Sequence, residues 1–71
     1  MRVLLAMKRT RENMTQMQIS KDANISQGYY SEIESGFRCP SPVVAARIAK
    51  TLGIPDQEVF RVFYSNEQKY S

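Results

Sequence analysis

The chain contains no histidine, no tryptophan and a single cysteine, Cys39, among its 71 residues. One cysteine excludes an internal disulfide and a thiolate metal cluster, and it suits a reducing compartment, so a cytoplasmic protein is expected. Without histidine, and with no paired-carboxylate or glycine-rich phosphate motif, most combinations of nucleophile, base and metal ligand are missing. Neither catalysis nor a metal nor a cofactor is therefore expected. No apolar run approaches the ~20 residues that span a bilayer. The opening MRVLLAM is basic and then apolar, but its apolar part is shorter than the ~7–15 residues of a signal sequence core and runs directly into KRTREN, so it reads as mature helix. Glycine and proline are scarce as well, three of each. All of them fall at helix boundaries or in loops except Gly28.

What is present describes one small globular unit. Apolar residues make up 42% of the chain and charged residues 24%, an ordinary globular balance. A length of 71 residues allows one domain, residues 1–71, near the lower size limit for folding without disulfides or metals. The net charge of +3 and the pI near 9.3 permit a nucleic-acid partner. Arg2, Lys8, Arg9 and Arg11 crowd the N-terminus, a grouping that a solvated helix face would also explain.

Caps and breakers place five helices and no strand. The first is expected over residues 2–13, with Asn13 in a left-handed position at its end. Thr15 and Gln18 form a capping box that opens the second, which runs to Ala23 before Asn24 turns the chain. Ser26 caps the third, Gln27–Ser35, and Gly36 ends it. After a loop with two prolines, Ser41 caps the fourth, with Pro42 at its first position and Gly53 after its last. Pro55 and Asp56 open the fifth, DQEVFRVFYSNEQK, which passes into a polar tail.

Two helices joined by a turn of about four residues, the second short and serine-capped, form a helix-turn-helix arrangement. From residue 7 to residue 60 the sequence resembles the Cro/CI-type helix-turn-helix family, also called xenobiotic-response-element-like. The residues that carry the resemblance are Arg9, Thr15 and Gln16, Ile19, Ala23, Ile25 and Ser26, the IESG ending at Gly36, Pro40, IAKTLGI ending at Ile54, and EVF ending at Phe60. Ser20 stands where the family commonly has alanine, and Lys8 where leucine is common; the first is small and the second has an apolar stem. The resemblance implies a compact all-α, five-helix fold of the lambda-repressor type that binds double-stranded DNA. Residues 61–71 lie outside the shared pattern.

Within the third helix, Tyr30 and Ile33 should face inward with Ile25. Gln27, Gly28, Ser31 and Glu32 lie on the opposite side, the face the resemblance assigns to base reading. Gln pairs with adenine, Glu accepts from the cytosine amino group, and Ser serves either way. Gly28 lets backbone approach DNA closely. Glu32 has an alternative partner in Arg38. Tyr29, on the flank, is placed to donate to a phosphate or touch a thymine methyl. Gln16 and Ser26, at two helix N-termini, suit phosphate, as does Arg38 in the loop, unless it is only a solubilising charge. By resemblance, Arg9 and Glu34 form a structural ion pair. In the fifth helix Val59, Phe60 and Phe63 are expected to close the core, while Val62 and Tyr64 point away. A dimer contact centred on Val62, Phe63 and Tyr64 follows from the family's habit of self-association there, with the tail from Asn66 dispensable.

The function these readings imply is a sequence-specific transcriptional regulator, a dimeric repressor of an inverted-repeat operator. Two alternatives share the fold: an antitoxin or restriction-modification controller, with a toxin or antagonist protein as further partner, and a module that kept the fold but binds protein. Steep weakening with salt distinguishes DNA binding from the last.

Overall fold

In the computed structural model, which describes residues 1–64, five α-helices follow one another: α1 Val3–Arg11, α2 Gln16–Ala23, α3 Gln27–Ser35, α4 Pro42–Leu52 and α5 Asp56–Tyr64. No strand occurs among the described residues, and none of their helices is long and apolar enough to cross a membrane. The polar tail and the far end of the expected fifth helix lie outside the described residues.

Local chemistry explains most boundaries. The Thr15 hydroxyl accepts from the Gln18 backbone N–H at 3.1 Å, and the Thr15 N–H donates to the Gln18 side-chain oxygen at 2.8 Å. Two of the otherwise orphaned donors at the start of α2 are thereby satisfied. Ser26 caps α3 through the Tyr29 N–H, and Ser41 caps α4 through the Val44 N–H. The C-terminal ends of α2, α3 and α4 fall at Asn24, Gly36 and Gly53, all in left-handed backbone. Helix α1 stops at Arg11, two residues short of expectation, because Glu12 has already left the helix and Asn13 has a φ of 61°.

Only Asn24, Ile25 and Ser26 separate α2 from α3, so the two must cross over a short turn. Helix α2 packs on both α3 and α4, and α5 closes the far side against α4 and α1. The core takes Leu5 from α1, Ile19 and Ala23 from α2, Tyr30 and Ile33 from α3, Ala45, Ile48, Ala49 and Leu52 from α4, and Val62 and Phe63 from α5. Ser20, buried on α2, satisfies its hydroxyl by donating to the Met17 carbonyl at 2.8 Å.

Helix α5 is rotated from the expected orientation. Val62 is 4% exposed and Phe63 0%, whereas Phe60 is 70% exposed. Successive residues advance by about 100°, so the arc that buries Val62 and Phe63 and half-buries Val59 leaves Phe60 and Tyr64 together on its flank. Their ring centroids are 6.0 Å apart. Val62 therefore belongs to the core of the subunit and not to its surface.

Arg2 also departs from its expected place in a basic cluster. It is 6% exposed, and its guanidinium donates to the carbonyls of Phe63 at 2.9 Å, Ile33 at 2.5 Å and Arg38 at 3.0 Å. The Arg2 backbone N–H adds a bond to the Glu34 carbonyl at 2.8 Å. A cation thus sits among carbonyls of the last turn of α3, of the loop that follows it and of α5, and a helix C-terminus such as that of α3 carries negative potential. Lys8 pairs with Glu58 at 2.9 Å, joining α1 to α5.

Candidate nucleic-acid interface

The outer side of α3 is formed by Gln27 and Gly28, both exposed, and by Ser31 and Glu32, which are half-buried. Ser26, exposed, stands at its N-terminus. A shallow depression of about 460 Å³ separates this end of α3 from the start of α2, and Gln16 and Gln27 both line it, with Arg9 and Thr15. The short turn is what brings the two helix N-termini, with their outward-facing N–H groups, to one side of the molecule. Such ends favour anions.

Gly28 has no explanation within the subunit. Its φ is not in the left-handed range, and a Cβ built on it meets nothing within 4 Å. Glycine inside a helix is nevertheless less stable than alanine by roughly 0.5–1 kcal/mol. Neither the backbone conformation nor packing within the described residues requires glycine here.

Behind α3 lies a polar network that fixes the helix. Glu34, 4% exposed, accepts from Arg9 Nε at 2.8 Å, Arg9 Nη2 at 3.1 Å, Tyr30 Oη at 2.8 Å and Gln16 Nε2 at 3.0 Å. Arg9 Nη1 donates to the Met14 carbonyl at 3.0 Å, so one guanidinium ties α1 to the turn that precedes α2 and to α3. Burial alone would raise the Glu34 carboxyl pKa, but the bonds from Arg9, Tyr30 and Gln16 outweigh it and hold it below the usual carboxylate value. The same contact with Glu34 raises Arg9. Burial, then the carboxylate, pushes the Tyr30 phenol up. The group is a carboxylate that stays charged because its donors compensate its desolvation.

At the other end of α3, Arg38 Nε donates to Glu32 Oε1 at 2.7 Å. The guanidinium carbon lies 5.9 Å from the centroid of the Tyr29 ring. Of the two partners left open for Glu32 by the sequence, this structure shows Arg38.

The structure thus brings Gln16, Ser26, Gln27, Gly28 and Ser31 to one face, with Tyr29, Glu32 and Arg38 grouped at its edge. Val62 and Phe63 are separate from it and buried, and Tyr64, half-buried, donates its hydroxyl to the Pro40 carbonyl at 2.9 Å. Sequence reasoning missed the roles of Tyr30 and Gln16 in the Glu34 network. The spacing of Tyr30 and Glu34, one helical turn apart, was the available signal for the first.

The helix-turn-helix family model matches residues 5–59. An uncharacterized HTH-type transcriptional regulator of Bacillus subtilis (strain 168), YqaF, is 37% identical over 71 residues, which is 100% of this chain and 92% of the relative. No solved structure matches. The five-helix architecture, the short turn between α2 and α3 and the span of the match agree: the chain belongs to the Cro/CI-type helix-turn-helix family of DNA-binding transcriptional regulators.

Proposed function

We propose that the protein is a cytoplasmic, sequence-specific repressor that lays α3 in the DNA major groove and binds an inverted-repeat operator as a homodimer. In this reading Gln27 and Ser31 touch base edges, the backbone at Gly28 passes close to the DNA, and Ser26, Gln16 and Arg38 contact phosphates. The observation that carries it is Gly28, an exposed helical glycine for which the subunit itself offers no steric or conformational reason. The fixed network at Glu34 supports the same reading, because a helix that reads bases must hold its side chains in one geometry.

One α3 of nine residues reaches too few base pairs for an operator, so a dimer is required, with its two recognition helices about 34 Å apart. The apolar surface that α5 offers for this is Phe60, 70% exposed, beside Tyr64. Repression follows if the dimer covers a site that polymerase needs. The test is selection from a random duplex pool, with affinity then measured across salt concentrations. A near-palindromic consensus and a steep loss of affinity with salt are expected. Absence of enrichment, or salt-independent binding, would remove the proposal.

A further inference from the structure

Arg38 is an exposed arginine held at every point but one. Its backbone N–H donates to the Glu32 carbonyl at 3.1 Å, its carbonyl accepts from Arg2 at 3.0 Å, its Nε donates to the Glu32 carboxylate, and its guanidinium lies near the Tyr29 ring. No hydrogen bond among the described residues takes Nη1 or Nη2. A flexible surface arginine ordinarily loses rotamer freedom when it engages a ligand. Here that freedom is already restricted, and what remains is the outer edge of a planar fork, the shape that matches two phosphate oxygens. The side chain is 54% exposed and its partner Glu32, on α3, 41%, so both groups are open to a ligand.

We propose that Glu32 and Tyr29 are positioning residues that hold Arg38 for a DNA phosphate, and that neither reads a base. This rests on the functional reading above and refines it. The bond from Nε holds one carboxylate oxygen, Oε1, toward Arg38, and a base contact through that oxygen would have to compete with this charge-assisted bond. The carboxylate's own repulsion of the DNA backbone is neutralised only while Arg38 is present. Glu32 is therefore favourable with Arg38 in place and unfavourable without it.

The experiment is a double-mutant cycle of E32A and R38A, read as affinity for the selected duplex and for an unrelated one, together with the consensus each variant selects. Circular dichroism and melting establish that every variant is folded, as the exposure of the pair leads one to expect. R38A is expected to weaken both duplexes about tenfold and to lower the salt slope by about one unit. E32A is expected to weaken both duplexes when Arg38 is present and to tighten both when it is absent, with the two factors differing at least about threefold. E32Q, whose amide oxygen still accepts from Nε, should recover what E32A loses, and Y29F, which keeps the ring, should bind like the wild type. The consensus should not change in any of them. An E32A factor that is the same in both backgrounds, a changed base preference in E32A, or a loss in Y29F would each overturn the assignment. If the wild type itself selects no duplex, the functional reading fails, an outcome recognisable without any variant.

Discussion

Gly28→Ala separates what the fold wants at this position from what DNA binding wants. The added methyl enters open space, and the residue is the second of α3, after Gln27. Alanine in a helix interior is favoured over glycine by about 0.8–1.0 kcal/mol, and in the first turn the gain should be nearer the lower figure of about 0.5 kcal/mol. Part of it arises in the unfolded chain, which has fewer states to lose. For a domain of this size that gain raises the melting temperature by about 2–4 °C. Against the cognate duplex the sign should reverse, because a methyl where backbone meets DNA forces α3 outward and weakens its neighbours' base contacts, worth ~1–3 kcal/mol for each good pair. The assays are thermal melting by circular dichroism and titration of a labelled duplex on the same preparation. A variant that is more stable and binds cognate DNA as tightly as the wild type would refute the argument from Gly28.

Glu34→Ala strands the donors of Arg9, Tyr30 and Gln16 and should cost ~3–5 kcal/mol by urea denaturation, the cost of breaking a buried pair; a loss under ~1 kcal/mol would put the network among ordinary surface pairs. Because the folded-state Glu34 pKa lies below its usual 4.5, its contribution is complete above about pH 4.5 and is lost as pH falls through the folded value. The acid limb of a pH–stability profile should flatten in Glu34→Gln, and an unchanged limb would contradict the assignment. Phe60→Glu should leave the subunit folded and make it monomeric in analytical ultracentrifugation, whereas Val62→Glu should unfold it; a dimer that survives Phe60→Glu places the contact elsewhere. Gln27→Ala should weaken the selected site by ~1–3 kcal/mol and leave binding to unrelated DNA nearly unchanged.

The parts legible in the sequence are those decided by local chemistry. Thr15 with Gln18, Ser26, and Ser41 with Pro42 announce helix starts because the capping bond spans three residues, and Asn24, Gly36 and Gly53 announce ends because few residues accept positive φ. The outer face of α3 was legible for the same reason, since helical period fixes which side chains share a side. Helix α5 was not, because residues 59, 60 and 63 and residues 59, 62 and 63 are both acceptable apolar arcs, and only the position of α4 and α1 decides between them. Arg2 was out of reach altogether. Its acceptors at Ile33, Arg38 and Phe63 lie 31 to 61 residues away, and nothing near it in the chain distinguishes a buried arginine from a solvated one. Glu32 stood between two partners for a related reason: the loop path after Gly36 decides whether Arg38 can return to it.

The proposal that α3 meets DNA rests on its outer face. It is tested most directly by titrating isotopically labelled protein with a selected operator and following each backbone and side-chain amide by nuclear magnetic resonance. The largest changes are expected on Ser26, Gln27, Gly28, Ser31 and the Gln16 and Gln27 side-chain amides, with Arg38 at the edge and the far end of α4, around Lys50 and Gly53, nearly silent. Changes concentrated on the outer face of α1, at Val3 and Met7, or on α5 alone, with α3 unaffected, would contradict it.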